Sequence, residues 1–340
     1  LLESGKITQS SVIPAPGAWS IPGTKHMFRD SVRSGHGSAN LSKAIQVSSD
    51  TFFYRLGFEM GIEQIRPYLA EFDFGQQTGI DLPNEYRGVL PSPEWKEKRF
   101  SKLPPERRRW NIAEMVPISI GQGYNAYTPL QMAHATATLA NNGVVYRPHL
   151  VKELLDHNKQ QITLIDPKPQ RVLPFKQSNF NYVKAAMAKV LQPGGTARKI
   201  GVGLKYSMGG KTGTAQVVQI AQGKNYNAAA LAEQHRDHAW FIAFAPMEKP
   251  QIAIAVILEN GGWGANAAPL ARGLSDYYLL KLKSGGDHDI PVDNRNKTGV
   301  ENPLLAGSGT VRPSENKITE AFRTIHNPEA AHSAASEAAP

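Results

Sequence analysis

Cysteine is absent from all 340 residues. That excludes disulfides and thiolate-bound metal within the chain, and it bears only weakly on the redox compartment. Long apolar runs are also missing. None exceeds the seven residues 252–258, and a membrane-spanning helix needs roughly 18. No signal peptide is recognisable. The chain opens on Leu1 rather than Met, so the expectation is a piece of a longer protein whose start is not included. The missing leader is therefore uninformative. There are no internal repeats and no Gly-x-Ser-x-Gly nucleophile elbow.

What is present suits a large folded domain. Hydrophobic residues make up 41% of the chain, enough to bury a core. The net charge is +9, and residues 284–340 hold five Lys/Arg against eight Asp/Glu, so the basic balance belongs to the rest. It suits an anionic neighbourhood such as lipid headgroups or wall polymer, although a charged face is more often simply solvated. From about 284 onward the chain is rich in Gly, Pro, Asn and Asp. Such a segment cannot bury enough apolar area to offset its ordering entropy. The expected division is a domain over 1–283 and a disordered polar tail over 284–340.

Helix and strand signals mix within 1–283. Thr128, Pro129 and Gln131 form a capping box with proline at the first helical position, and Gly143 ends that helix. Further helices are expected over 41–59, 62–72 and 270–282. The runs 240–245 and 252–258 read as two strands of a hairpin covered on both faces. The fold class this suggests is α+β, an antiparallel sheet sandwiched by helices.

The strongest local signal is Gly209-Gly210-Lys211-Thr212-Gly213-Thr214-Ala215. A phosphate-binding P-loop needs glycine five residues before Gly210, where Lys205 stands. The residues after Ala215 read as strand rather than helix, so that reading fails. A glycine-rich turn with an incidental lysine is the bland alternative. A strand lining an acyl-transfer cleft is the sharper one. Glycines admit a ligand close to the backbone, and lysine supplies charge or moves a proton. The threonine hydroxyls hold a carboxylate, and a backbone N–H stabilises an oxyanion.

Lys211-Thr212-Gly213-Thr214-Ala215-Gln216 resembles the third signature of the class B penicillin-binding proteins. Ser48-Ser49-Asp50 resembles the second, Ser-x-Asn, with Asp50 in the asparagine place. Thr78-Gly79-Ile80-Asp81, Gly121-Gln122-Gly123, Arg236-Asp237-His238 and Glu259-Asn260-Gly261-Gly262 are similar to segments typical of these domains. The resemblance covers roughly 1–282. It is most like the penicillin-binding protein 2 subtype, the transpeptidase of cell elongation and cell shape. It implies a penicillin-binding, β-lactamase-like transpeptidase fold, truncated at its N-terminal side.

The resemblance also implies the chemistry. A serine attacks the penultimate D-alanine carbonyl of a stem peptide, and a neighbouring amino group resolves the acyl-enzyme. Ser48 would relay protons, Asp50 would orient the substrate and Lys211 would supply positive potential. Thr212, Gly213 and Thr214 would bind substrate, with the Thr214 N–H in the oxyanion hole. The first signature, Ser-x-x-Lys, is met only by Ser314-Glu315-Asn316-Lys317 in the polar tail, a coincidence. A serine needs an adjacent base to react, so the fragment alone is expected to be inactive, with its nucleophile upstream of Leu1.

Other implications follow from the same resemblance. The ligands would be a D-Ala-D-Ala stem peptide and β-lactams, and the partner an elongation-complex glycan polymerase. The site would face the periplasm, held at the inner membrane by an N-terminal anchor outside this sequence. Some family members resemble a zinc site of Asp, Asp, His and Cys. Asp30 and His36 match two of its positions, while Ala15 and Ser49 stand at the others. No cofactor is expected, and Asp30 and His36 are the residual metal candidates. His235, Asp237 and His238 read as a hydrogen-bonded cleft edge. Residues 96–109 hold seven Lys/Arg against two Glu, but Pro104, Pro105 and the lack of interleaved aromatics argue against nucleic acid. Two alternatives stay open: a non-catalytic penicillin-binding sensor or assembly module, and a D,D-carboxypeptidase or β-lactamase that transfers to water.

Overall fold

The apolar runs near residue 250 form two of the strands of a three-stranded antiparallel sheet. The computed structural model describes residues 1–156, 161–218, 227 and 230–282. Its strands β1 (Gly209–Ala215), β2 (His238–Ala245) and β3 (Ile252–Leu258) lie in the order β3-β2-β1. β2 is central. Phe241 stands opposite both Thr212 on β1 and Val256 on β3. The Lys-Thr-Gly strand is thus an edge strand whose register is set by the most apolar strand of the fold. The strand ends at Ala215, earlier than the sequence suggests.

Five helices place the sheet and the site: α1 (Leu41–Val47), α2 (Asp50–Ala70), α3 (Pro129–Ala140), α4 (Gln177–Lys189) and α5 (Ala268–Asp276). Alternate β2 side chains go to opposite faces. Ala239, Phe241, Ala243 and Ala245 join a core with Ala267, Ala268 and Ala271 beside α5. Ile242 and Phe244 pack instead with Ala140 of α3 and Val183 and Met187 of α4. Small residues on the helices let their backbones approach the sheet closely. Phe241 and Phe244 are fully buried, and truncating either to alanine would cost roughly 3–5 kcal/mol. The sheet is therefore sandwiched, as its runs without alternation suggest.

The capping box of α3 is present in both directions: Thr128 Oγ1 accepts from Gln131 N, and Gln131 Oε1 accepts from Thr128 N. Three other expectations change. The stretch read as one helix over 41–59 is two helices, α1 and α2, broken at Ser48. The helix expected over 62–72 is the far half of α2, beyond a kink at Gly61 (φ 74°, ψ 169°). The closing helix starts at Ala268 and gives way to wider turns over Tyr277–Leu282.

Two small antiparallel pairs lie ahead of α1. Val12–Ala15 pairs with Gly37–Asn40, and Ala18–Ser20 pairs with Met27–Arg29. Trp19 meets Phe58 at 5.5 Å and Phe28 meets Tyr54 at 5.9 Å between ring centroids, which seats this loop region on α2. The residues expected to form the tail, 284–340, lie outside the described residues, and so does Ser314-Glu315-Asn316-Lys317. Among the described residues no helix is long and apolar enough to cross a membrane.

Candidate active site

Ser48 ends α1 in the left-handed conformation (φ 57°, ψ 52°). A serine in that region is strained and needs firm surroundings. Here the turn is closed by Ser48 N–H to Ile45 O at 3.3 Å and Ser49 N–H to Ala44 O at 3.0 Å. The reversal lets α2 begin at once, with Asp50 at its first position. The second signature therefore sits on a helix–helix break rather than on a helix.

Lys211 comes to the same place from β1. Its Nζ donates to Ser48 Oγ at 2.7 Å and to the Thr212 carbonyl at 2.8 Å. The residue as a whole is partly buried, but its ammonium is enclosed. Burial lowers its pKa from 10.5 to about 8, against the pull of the Asp50 charge. Asp50 moves the other way. Burial, and then the nearby Asp30 charge, raise it from 3.8 to about 7, with Lys211 and the Ser31 N–H opposing. A carboxyl titrating near 7 is partly protonated at neutral pH and can donate a hydrogen bond. It thereby recovers some of the donor ability that asparagine would have in that position.

The two threonines lie on one face of β1. Thr212 Oγ1 pairs with Thr196 Oγ1 at 2.8 Å, and Thr214 Oγ1 accepts from Gly264 N at 3.0 Å. A hydroxyl that accepts keeps its proton for another acceptor. The Thr214 carbonyl accepts from Gln122 Nε2 at 2.6 Å. It and the Thr212 carbonyl thus point away from β2. In an antiparallel strand a residue's N–H leaves on the same side as its C=O. The Thr214 N–H therefore faces the open edge, where an oxyanion donor is needed.

The glycines act differently from the sequence reading. A Cβ on Gly209 would meet the Phe244 ring at 2.8 Å, and one on Gly210 would meet Phe241 Cζ at 2.6 Å. Both make room for core aromatics, not for a ligand. Close backbone approach happens at Gly213 instead, where a Cβ on Gly264 would stand 2.1 Å from the Gly213 carbonyl.

Several supporting residues were missed in the sequence. Thr196 is tied back to α1 by its own N–H to Gln46 O at 3.3 Å and by Gln46 Nε2 to Pro193 O at 3.1 Å. Gln122 also accepts from Gln216 N at 3.3 Å, which clamps the end of β1. Gly121-Gln122-Gly123 was noted as a family-like segment, but nothing in its pattern pointed to β1. Asp237 Oδ1 accepts from Val217 N at 3.1 Å and His238 Nδ1 from Asn260 N at 2.9 Å, so both shape the cleft edge. Lys96 is not part of a solvated loop. It is buried, bonded to Glu114 and to the Arg109 carbonyl, and sits 5.9 Å from the Tyr124 ring centre.

Asp30 and His36 do meet. Asp30 Oδ1 lies 3.1 Å from His36 Nε2, and Oδ2 accepts from Ser49 Oγ at 3.0 Å. Their donor set does not fit structural zinc, which wants four good ligands. One carboxylate and one imidazole are already engaged with each other, and the other groups bonded to Asp30 are hydroxyls and backbone amides. Among the described residues no group of three or more His, Cys, Asp or Glu is placed to hold a metal ion.

Known proteins are similar to this chain over most of its length. The penicillin binding protein transpeptidase domain model matches residues 1–276. The peptidoglycan D,D-transpeptidase MrdA of Acinetobacter baumannii is 44% identical over 284 residues, 83% of this chain and 41% of that protein. The crystal structure of Pseudomonas aeruginosa PBP2 in complex with WCK 5153 is similar with a TM-score of 0.69 and 35% identity, covering 88% of this chain and 61% of that one. PBP2 of Helicobacter pylori in complex with MreC is similar with a TM-score of 0.66 and 33% identity, covering 82% and 49%. The chain spans less than half the length of the curated MrdA relative.

Proposed function

The chain belongs to the penicillin-binding protein transpeptidase family, and from that premise we propose that it forms the substrate-receiving wall of a serine-type peptidoglycan D,D-transpeptidase. The observation that carries the reading is the 2.7 Å contact between Lys211 Nζ and Ser48 Oγ beside the open edge of β1. Lys211 and Ser48 form a relay able to pass a proton between a nucleophilic serine and a leaving amine. The Thr214 N–H stabilises the oxyanion of the tetrahedral intermediate. The hydroxyl proton of Thr214, and the one proton the Thr212–Thr196 pair does not use in its own bond, are available to the terminal carboxylate of a D-Ala-D-Ala stem. Asp50 orients the peptide backbone. The serine's Oγ bonds to the penultimate D-alanine carbonyl, the peptide C–N bond breaks, and terminal D-alanine leaves with the relayed proton. The amine of a neighbouring stem then displaces the serine.

The nucleophile is assigned to a segment outside these 340 residues. An apolar cavity of about 400 Å³ supports this assignment. It is lined by Leu1, Leu41, Phe72, Met132, Leu139 and Phe180 among others. It opens to the surface, so its apolar lining meets solvent unless another segment covers it. An apolar helical segment would fill it, a short way from Ser48. Periplasmic, membrane-anchored placement and partners of the elongation machinery are part of the same proposal. Helicobacter pylori PBP2 pairs with MreC.

Labelling with a fluorescent penicillin tests the reading. The longer protein should be acylated on a serine outside this stretch, the 340-residue chain should not, and Lys211→Met in the longer protein should lose the label. Reversible binding without acylation would make the protein a penicillin-binding module instead of an enzyme. Label on the 340-residue chain would place the nucleophile inside it.

A further inference from the structure

Asp30 is a buried carboxylate, 5% exposed, that the proposed chemistry leaves without a task. Its oxygens are nonetheless crowded with donors. Oδ1 faces His36 Nε2 at 3.1 Å, accepts from Val32 N at 3.1 Å and lies 3.4 Å from Ser31 Oγ. Oδ2 accepts from Ser49 Oγ at 3.0 Å and from Thr51 N at 3.3 Å. The Thr51 hydroxyl has one proton and a shorter path to the Pro16 carbonyl, 2.7 Å against 3.3 Å to Asp30. The firm bonds from Oδ2 are therefore those to the Ser49 hydroxyl and the Thr51 amide.

Those two groups flank the start of α2. Ser49 is its N-cap residue, yet the Ser49 side chain makes no capping bond. The Thr51 amide is one of the donors a helix leaves unpaired at its first turn. Asp30 satisfies it from a loop remote in sequence, and places a negative charge at the positive end of a 21-residue helix. Asp30 thus holds the segment 48–51 from behind, at Ser49 and Thr51. Ser48 and Asp50 alternate with these residues, and Ser48 Oγ meets Lys211. The left-handed turn at Ser48 needs such an outside hold to persist.

We infer that Asp30, steadied by His36, is a positioning residue that sets where Ser48 and Asp50 stand relative to Lys211. The inference rests on the role of Ser48 and Lys211 proposed above, so its test has one arm that needs no activity.

In that arm, amide hydrogen exchange is followed in the longer protein. Asp30→Ala should speed exchange at residues 49–53 by about tenfold or more, the scale of a lost helix cap. Amides of β2 and β3 should be unchanged. In the second arm the longer protein is acylated with penicillin at a temperature where circular dichroism shows each variant folded. Asp30→Ala should slow acylation by at least about tenfold. His36→Gln retains an N–H donor toward Asp30 and should stay within about threefold of wild type, whereas His36→Ala should not. If Asp30→Ala fails to fold, Asp30→Asn, which keeps one acceptor, replaces it with the same expectations at smaller amplitude. Uniform loss of protection, or acylation within threefold of wild type by a folded Asp30→Ala, overturns the inference. A wild-type longer protein that takes no label would sink the transpeptidase reading, and the exchange arm would still decide this one.

Discussion

Replacing Asp50 with asparagine should stabilise the fold, and increasingly so as pH rises. In the folded chain the Asp50 carboxyl titrates near 7 rather than 3.8, because burial and the Asp30 charge disfavour its ionised form. The unfolded chain ionises it near 3.8. Between these values the folded state holds a proton that the unfolded state has lost, so stability falls as pH rises through this window. Linkage puts the cost of the aspartate at about 2 kcal/mol at pH 5 and about 4 kcal/mol at pH 8. Asparagine never ionises, and its carbonyl can still accept from the Ser31 N–H. Asp50→Asn should therefore gain about 2–3 kcal/mol more at pH 8 than at pH 5. Urea unfolding of the 340-residue chain and its variant at both pH values measures the difference. Equal gains at the two pH values would refute the argument, because they would mean the Asp50 carboxyl is not held neutral. A loss of stability, equal at the two pH values, would mean that Lys211 dominates and pulls Asp50 below its ordinary value.

Lys211→Met should show the opposite pH trend. Burial holds the amine near 8, so the charged form costs about 3 kcal/mol at pH 7 and less than about 1 at pH 10; a gain that does not fade toward pH 10 in urea unfolding would contradict this. Gly264→Ala should destabilise by about 1–3 kcal/mol, since its Cβ would stand 2.1 Å from the Gly213 carbonyl. A loss under about 0.5 kcal/mol would mean the turn at 264 yields freely. Gln122→Ala should cost only about 1 kcal/mol of stability while slowing penicillin acylation of the longer protein about tenfold, because it frees the Thr214 carbonyl and the Gln216 N–H from their clamp. Acylation at the wild-type rate would show that β1 holds its own geometry.

The sheet was legible because its information is local. The runs 240–245 and 252–258 are apolar throughout, and only a strand covered on both faces uses such a pattern economically. The α3 helix was legible for the same reason, since its cap residues lie within four positions of one another. Lys211, Thr212 and Thr214 were found from their motif, but the reasons for their glycines were not. Gly209 and Gly210 answer to Phe244 and Phe241 on the neighbouring strand, and nothing in the segment itself reveals a ring from 30 residues away. Thr196 escaped notice, and Gln122 stood out only as part of a family-like segment, because each matters through a distant partner.

The break at Ser48 shows the limit most sharply. Residues 41–59 have helical character on both sides of it, and no glycine or proline stands within eight residues of it on either side. Local preference alone would run one helix through. The conformation found there costs of order 1 kcal/mol or more for a serine, so something non-local must select it. Two contacts are available: Asp30 behind, at Ser49 and Thr51, and Lys211 in front, at Ser48. Both come from segments far away in the chain. Positions where the local rules fail are where function is expected, and here the failure falls on the residue that meets Lys211. The same geometry explains why asparagine at position 50 should be more stable than aspartate. Asp50 stands between the Asp30 carboxylate and the Lys211 ammonium, in a site enclosed enough to raise one pKa and lower the other. Retaining a group there that titrates near neutrality trades stability for a proton that can move.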